Sequence, residues 1–302
     1  MNDDVIKIEN LTKFFEGRCV LDGVNLNVPK GCIYGLLGRN GAGKTTIIRI
    51  LLGLESPTRG KTYLYDSDSA NLSAKLKGKI GYVAEAHNLI QNYRVGRLVL
   101  LCKSLSSKWN QQFFDHLLQT FRLPMDRKVN QLSTGMRAQL NLALAMARDP
   151  ELLILDDPTL GLDTVARRQF LELAIDLLQK DGRTILFSSH ILSDVERIAD
   201  RIGILVAGKL VVDCTLEELK NRVKKLRLIF SQQAPQNLHL TEIINQQGRD
   251  RELVVTIANY SPQKQAVIDT FKPVTCTEMP MTLEDIFIEC TKTEPLPLTV
   301  ET

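Results

Sequence analysis

The sequence predicts an α/β fold with a mixed, largely parallel sheet, because short apolar runs alternate with helix-like segments along much of the chain. Residues 33–37 and 152–155 are apolar runs with the length of buried strands, and a glycine-rich loop follows the first of them. Residues 46–54 have the apolar spacing of a helix. After the second strand, one face of a further predicted helix carries Phe170, Leu171, Ala174, Leu177 and Leu178. Successive strands joined through helices pair in parallel.

A small antiparallel β subdomain is predicted at the N-terminus, ahead of the parallel sheet. Residues 5–8 and 24–28 alternate between apolar and polar side chains, which is typical of strands with one buried face. Glu16 and Gly17 supply a turn before a third apolar stretch at residues 19–21. The first thirty residues therefore form strands rather than helices.

A helical subdomain at about residues 86–148 is predicted to interrupt the strand alternation. It follows a strand predicted at residues 79–83. Most of residues 95–148 has helical spacing, which ends before Asp149-Pro150, because a residue that precedes proline disfavours the helical conformation.

The alternation then resumes and leads to a domain boundary. A strand is predicted at residues 184–188, a hairpin at 202–206 and 210–212, and a helix at 216–225. We expect one domain at residues 1–220 and a C-terminal accessory module at residues 221–302. The module has predicted strands at 226–230 and 253–257, a helix near 264–271 and a polar, proline-containing tail, which together indicate a small α+β unit.

Composition narrows the functional classes. The chain has 302 residues with 44% hydrophobic and 24% charged residues, as in ordinary globular proteins of about two domains. A net charge of +3 does not favour nucleic-acid binding, and the basic run at residues 220–227 is interpreted as a solvated helix end. No run approaches the roughly 18 apolar residues of a membrane span, and residues 1–4 are acidic. We therefore expect a cytoplasmic location, with the membrane reached through a partner.

The glycine-rich loop matches Gly-x-x-x-x-Gly-Lys-Thr and predicts a nucleotide-binding site. Glycines allow backbone N–H groups to turn toward phosphates, and the following helix N-terminus favours an anion. We expect the lysine to neutralise the β- and γ-phosphates and the first threonine to be a ligand of Mg²⁺. The predicted binding residues are Gly38, Arg39, Asn40, Gly41, Ala42, Gly43, Lys44, Thr45 and Thr46.

A second acidic motif follows the apolar run at residues 152–155. Asp156 comes at the carboxyl end of a predicted buried strand, where an acidic side chain beside a phosphate loop is placed to hold Mg²⁺ through water. Taken alone, the two motifs predict a nucleoside triphosphatase, a class that includes helicases, kinases and GTPases.

A third segment narrows this class. Leu132, Ser133, Thr134, Gly135 and Met136 resemble the signature loop of the ABC ATPases, which has Leu-Ser-Gly-Gly-Gln or close variants. Thr134 and Met136 differ from that pattern and are similar to the variants of the branch that exports drugs, lipids or peptides through separately encoded permeases. The resemblance covers residues 1 to about 220 and implies an ATP-hydrolysing motor subunit of an exporter.

The resemblance also implies roles for residues outside these loops. Phe15 is at the position that stacks on adenine, Asp163 is in the D-loop, and Ser188-Ser189-His190 contains the switch histidine. In this family Lys44 of one subunit and Ser133 of another face the same ATP, so two subunits bind two nucleotides. The expected partners are a second ATPase subunit, as homodimer or heterodimer, and a membrane permease that places the chain on the inner face of the cell membrane.

Two positions depart from the family pattern. Asp157 stands where most members have Glu to polarise the attacking water, and its shorter side chain has about 1.5 Å less reach, which predicts slow turnover. Glu85 stands in the Q-loop, where Gln or Glu contacts Mg²⁺, and predicts ATP affinity that depends strongly on the metal. Residues 86–97 are the predicted permease contact. We therefore assign catalytic roles to Asp157, His190 and Glu85, and metal binding to Thr45, Glu85 and Asp156.

Two other functions remain open at the level of sequence. Asp157 is also compatible with a slow or degenerate half of a heterodimeric ABC complex. A non-transport ABC ATPase is the other alternative, although the phosphate-loop pattern occurs once and no heptad run is sustained. In the C-terminal module, residues 283–287 resemble the ending of many exporter ATPases of the same branch.

Overall fold

A computed structural model describes residues 3–85, 89–238, 240, 242–292 and 298–299. In chain order, the strands are β1 (Asp4–Phe15), β2 (Arg18–Pro29), β3 (Ile33–Gly38), β4 (Arg59–Leu64), β5 (Ser67–Asp68), β6 (Ile80–Val83), β7 (Leu152–Asp156), β8 (Thr184–Ser189), β9 (Arg201–Val206), β10 (Lys209–Thr215), β11 (Lys224–Ile229), β12 (Ile243–Arg249), β13 (Glu252–Ile257), β14 (Thr275–Met279) and β15 (Leu298–Thr299). The helices are α1 (Lys44–Leu51), α2 (Ala74–Lys77), α3 (Val95–Ser104), α4 (Gln111–Phe121), α5 (Thr134–Ala147), α6 (Thr164–Asp181), α7 (Leu192–Ile198), α8 (Leu216–Arg222), α9 (Pro262–Thr270) and α10 (Leu283–Lys292).

The central sheet has the order β15-β10-β9-β3-β8-β7-β6. The strands from β9 to β6 are parallel, and β10 is antiparallel to β9, so the sheet is mixed and largely parallel as predicted. In β3, Ile33 and Leu37 belong to one apolar core, whereas Tyr34 and Leu36 belong to another. Successive strand residues point to opposite faces, and both faces are buried. This explains why β3 is an uninterrupted apolar run.

The predicted N-terminal antiparallel sheet is present, with the order β2-β1-β4-β5. The turn at Glu16 and Gly17 uses positive φ angles of 48° and 81°, so the chain reverses between β1 and β2. The sequence analysis did not predict β4, because Arg59-Gly60-Lys61 at its start is exposed and polar. This sheet and α1 share one apolar core with a face of the central sheet.

The helical subdomain contains α3, α4 and α5, and its predicted first residues, 86–88, lie outside the described part of the chain. Phe114, Leu117 and Phe121 of α4 are buried at helical spacing. The side chains of Ala174, Leu177 and Leu178 in α6 also lie outside the description, while Phe170 and Leu171 are buried as expected.

The C-terminal residues form a further sheet with the order β12-β13-β11-β14. The predicted helix at residues 216–225 is wrong at its end, because α8 stops at Arg222 and β11 starts at Lys224. The basic run is therefore a helix end only at Lys220 and Arg222, and its remaining basic residues belong to β11. Lys224 Nζ lies 2.6 Å from Glu278 Oε1, and Arg227 Nε lies 2.6 Å from Glu252 Oε1 on a neighbouring strand. The division of the chain at residue 220 stays a prediction.

Candidate functional site

The candidate site lies where three parallel strands of the central sheet end. Gly38 ends β3, Asp156 ends β7 and Ser189 ends β8, and these strands are direct neighbours in the sheet. The carboxyl ends of parallel strands meet at one edge, where open α/β sheets bind ligands. The fold thus brings together motifs that are far apart in the sequence.

The phosphate loop connects β3 to α1 and depends on its glycines. Gly41 and Gly43 have φ angles of 79° and 111°, which residues with a Cβ atom rarely adopt. A Cβ atom on Gly38 would lie 2.7 Å from the carbonyl oxygen of Leu205. Helix α1 begins at Lys44, two residues earlier than predicted, with Gly43 as its N-cap. The free N–H groups of its first turn therefore face the loop.

Lys44 is the buried cation of the site. Its Nζ donates a hydrogen bond to the carbonyl oxygen of Gly38 at 2.8 Å, and 8% of the residue is exposed. Burial lowers the pKa of this ammonium group, while the nearby carboxylates of Asp157, Asp156 and Glu85 oppose that shift. The loop thus presents a positive charge with few water contacts, which strengthens its attraction for phosphate.

Asp156 has one satisfied and one free carboxylate oxygen. Its Oδ1 accepts hydrogen bonds from Thr45 Oγ1 at 3.1 Å and Ser188 Oγ at 2.8 Å. Its Oδ2 is buried without a hydrogen-bond partner among the described residues. Burial raises the pKa of Asp156, although the two hydroxyl groups oppose this shift. A free buried carboxylate oxygen next to a threonine hydroxyl suits a hard cation such as Mg²⁺.

The described residues include no cluster of three or more His, Cys, Asp or Glu side chains that could hold a metal alone. Thr45, Glu85 and Asp156 nevertheless line one cavity. Because Mg²⁺ prefers six oxygen ligands, this set fits the ion when phosphate oxygens and water complete its shell. The donor set thus fits Mg²⁺ that arrives with a nucleotide.

Asp157 and His190 form the second polar pair of the site. His190 Nδ1 lies 2.6 Å from Asp157 Oδ2, and Asp157 is 5% exposed. Asp157 Oδ1 is buried without a partner in the described part of the chain. Asp157 has a φ angle of 48°, a region that Asp tolerates better than most side chains. This gives a local reason for Asp at this position.

Ser188 is a site residue whose structural role the sequence analysis missed. Its hydroxyl group donates to Asp156 Oδ1 at 2.8 Å and accepts from the backbone N–H of Asp157 at 3.0 Å. It therefore fixes both acidic residues relative to β8. In the sequence, the only sign of this role is the pair of serines before His190. The hydrogen bonds themselves could not be predicted, because they join Ser188 of β8 to residues at the end of β7.

A cavity of about 800 Å³ extends from the phosphate loop toward Phe15. Phe15 is 41% exposed, and Lys13 Nζ lies over its ring, 4.6 Å from the centroid. A partly exposed aromatic ring suits stacking on a planar base. The cavity is lined by Phe15, Glu16, Arg18, Cys19, Val20, Asn40, Gly41, Gly43, Lys44, Thr45, Thr46, Glu85, Asp156, Asp157, Ala207 and Gly208. The sequence analysis missed its wall from β2 and the turn between β9 and β10.

The remaining loop residues have different positions. Arg39 does not line this cavity but a second one of about 580 Å³ that also contains His190. Gly38 lines only the second cavity, and Ala42 is buried at the loop. The phosphate loop therefore contributes residues to two cavities.

The signature segment lies at the start of α5. Ser133 is its N-cap, with Oγ accepting a hydrogen bond from the backbone N–H of Met136 at 3.1 Å. Leu132 is buried, and Thr134 accepts a hydrogen bond from Arg137. Within the described part of the chain, residues 132–136 contribute nothing to the lining of the 800 Å³ cavity. The phosphate loop and the signature segment therefore do not meet within one chain.

Asp163 caps the start of α6. Its Oδ1 accepts a hydrogen bond from the backbone N–H of Ala166 at 2.8 Å. The preceding Gly161 has a φ angle of 78°, and a Cβ atom there would lie 2.6 Å from Thr134 Cγ2. The D-loop and the signature segment thus contact each other inside the subunit.

Comparisons with known proteins identify the family of this chain. A family model described as "ABC transporter" matches residues 21–160. The ABC transporter ATP-binding protein YtrB of Bacillus subtilis is 33% identical over 94% of this chain and 97% of its own length. The bacitracin transport ATP-binding protein BcrA of Bacillus licheniformis is 36% identical over 73% of each chain. The Nod factor export ATP-binding protein I of Rhizobium leguminosarum bv. viciae is 32% identical over 96% of this chain and 95% of its own.

Solved structures show the same likeness. An ATP-binding subunit of an ABC transporter superposes with a TM-score of 0.66 at 28% identity, over 72% of this chain and 92% of that one. A dimeric ATP-binding cassette, in a post-hydrolysis state with ADP and phosphate, superposes with a TM-score of 0.62 at 27% identity, over 70% of this chain and 98% of that one. The chain belongs to the ATP-binding, ATP-hydrolysing subunits of ABC transporters.

Proposed function

We propose that this chain is the ATP-driven motor of an exporter, acting from the inner face of the cell membrane on a separately encoded permease. The relatives named for bacitracin transport and Nod factor export support this assignment. Among the described helices, each is too short or too polar to cross a membrane. The observation that carries the proposal is the match to the Nod factor export protein over 96% of this chain, because it includes the C-terminal residues as well as the ATPase core.

We assign the site roles on the geometry. The phosphate loop, residues 38–46, binds the triphosphate, and Phe15 stacks on the base. Lys44 neutralises phosphate oxygens. Asp157 Oδ1, which has no partner among the described residues, is free to accept a proton from the attacking water, while His190 holds Oδ2 at 2.6 Å. When bound, Mg²⁺ neutralises charge on the β- and γ-phosphates.

Mg²⁺ is the proposed metal, with Thr45, Asp156 and Glu85 near it. Glu85 is exposed at the cavity and adds a negative charge beside the triphosphate, so ATP should bind weakly without the ion. Calorimetric titration should show at least tenfold weaker ATP binding in EDTA than in Mg²⁺. Glu85→Gln should reduce this difference. Equal affinities in both buffers would contradict the proposed role of the metal.

The ATP site is completed by a second ATPase subunit. Ser133 and its neighbours are absent from the cavity lining among the described residues, so a partner must supply the signature segment. We propose a homodimer, with the heterodimer as the alternative. Sedimentation of Asp157→Asn with ATP and Mg²⁺ should show a dimer. If it stays monomeric alone but dimerises with an ATPase encoded beside it, the heterodimer is correct.

Export itself is tested with the permease encoded beside this gene. Residues 86–97 are the proposed contact; residues 86–88 lie outside the description, and Ile90 is 46% exposed. Co-purification of the chain with that permease, and ATP-dependent transport in vesicles that Lys44→Ala abolishes, are the expected results. Full ATPase activity with no binding to the permease would indicate a non-transport ATPase instead.

A further inference from the structure

The last described helix packs against the helix that follows the switch histidine. Leu283 and Ile286 of α10 are 0% and 1% exposed, and they belong to the same apolar core as Val195 and Ile198 of α7. Helix α7 starts at Leu192, two residues after His190. Helix α10 therefore packs on the helix into which the switch loop, residues 189–192, leads.

A polar anchor fixes the start of α10 to α7. The backbone N–H of Leu283 donates to Glu196 Oε2 at 3.2 Å, and Glu196 Oε1 lies 2.7 Å from Lys220 Nζ in α8. Thr282 and Asp285 cap the same end of α10 by reciprocal hydrogen bonds. Because Glu196 is on α7, the anchor sets where α10 begins relative to the switch loop.

Phe287 carries α10 into the neighbourhood of the ATP site. This half-buried side chain lines the cavity of about 580 Å³ together with His190 and Leu192 of the switch loop, and with Arg39 and Asn40 of the phosphate loop. Phe287 is therefore on the wall of a cavity that the switch loop and the phosphate loop share. The same face of α10 thus packs against α7 and lines a cavity with the switch histidine.

Helix α10 is also joined to the C-terminal sheet. Glu289 is 7% exposed, and its Oε1 accepts a hydrogen bond from Asn245 Nδ2 of β12 at 3.1 Å. The same helix therefore contacts both the C-terminal sheet and α7. A displacement of that sheet would be transmitted to the switch loop through packed contacts.

We propose that α10 is a positioning element for ATP hydrolysis, in which Phe287 and the Glu196 anchor hold the switch loop so that His190 pairs with Asp157. This inference rests on the proposed role of His190 in hydrolysis. Phe287 is a positioning residue, since it acts through the switch loop. Its loss should slow turnover while ATP affinity is retained, because Phe287 is outside the 800 Å³ nucleotide cavity.

The test uses the full chain and compares Phe287→Ala with Ile288→Ala. Ile288 is the next residue on α10, is 40% exposed and lies outside both cavities, which makes it a matched control. In Phe287→Ala we expect kcat to fall about tenfold and the Kd of a fluorescent ATP analogue to change less than twofold. Phe287→Leu, which keeps an apolar side chain, should recover most of the loss. Ile288→Ala should match the wild type in both quantities.

A second variant, Glu196→Ala, removes the hydrogen bond that anchors the start of α10 to α7. It should also lower kcat and leave the Kd for the ATP analogue unchanged. The proposal is overturned if Phe287→Ala and Glu196→Ala both keep wild-type kcat, or if kcat and ATP affinity fall together with thermal stability. An inactive wild-type chain would instead argue against the proposed function, because the comparison among variants requires measurable turnover.

Discussion

The phosphate loop and the Asp157–His190 pair lie at the same edge of the sheet but are built differently. The conformation of the loop comes from glycines with positive φ angles. Its charge comes from Lys44, which is 8% exposed. In the pair, one side-chain contact of 2.6 Å joins β7 to the loop after β8, and the His190 side chain is 37% exposed. In the proposed function, binding thus depends on the backbone of a few contiguous residues, and hydrolysis depends on two side chains that follow separate strands. The two functions should therefore separate on mutation.

The largest expected effect is on ATP binding by the phosphate loop. Lys44→Ala removes the buried cation that we propose to face the triphosphate, and losing one partner of a desolvated charge pair costs about 2 to 5 kcal/mol. ATP affinity should therefore fall at least about thirtyfold, as measured by titration with a fluorescent analogue. Lys77→Ala, an exposed lysine at the end of α2, is the control and should bind normally. Wild-type affinity in Lys44→Ala would refute the assignment of the loop.

His190→Ala tests the proposed role of the Asp157–His190 pair in hydrolysis. Without the imidazole, Asp157 loses its contact at Oδ2, and we expect kcat to fall about a hundredfold, within the range typical of acid–base groups. The Kd for ATP should stay within about threefold of wild type. His116→Ala, an exposed histidine on α4, is the matched control. A parallel loss of affinity and turnover in His190→Ala would break the separation between binding and hydrolysis.

The same contrast explains how much could be predicted from sequence. The phosphate loop was predictable because its residues are contiguous and each glycine has a local conformational reason. The Ser188 bridge was not, because it joins Asp156 and Asp157 to a strand that starts at Thr184. Strand β14 was missed because its first four residues are exposed, which removes the alternation that marks strands.

Helix α10 shows the same limit in the C-terminal module. The sequence analysis noted residues 283–287 only as a resemblance and did not predict a helix, although Thr282 and Asp285 have capping-box spacing. Its burial depends on α7, which is distant in sequence and supplies the apolar surface. Local pattern could identify the start of this helix, but only the fold shows where it packs.

Asp157→Glu tests whether the short side chain of Asp157 limits the rate of hydrolysis. If limited reach slows hydrolysis, the additional methylene should raise kcat by about tenfold or more. The φ angle of 48° favours Asp, so the Glu variant should be less stable by about 1 kcal/mol or less. Steady-state ATPase assays and thermal unfolding measure the two effects, and Asp157→Asn should lower kcat. An unchanged or lower kcat in Asp157→Glu would reject the argument from reach.

The smallest expected effect is that of Phe15→Ala, which distinguishes base stacking from phosphate binding. Phe14 and Phe15 are adjacent on β1 and almost equally exposed, at 43% and 41%, but only Phe15 lines the nucleotide cavity. Phe15→Ala should weaken ATP binding about tenfold, since aromatic stacking on a base contributes about 1 to 3 kcal/mol. Phe14→Ala should leave the Kd unchanged, and inorganic triphosphate should bind both variants equally. Equal losses in the two variants would mean that β1 supports the cavity as a whole and that Phe15 does not stack on the base.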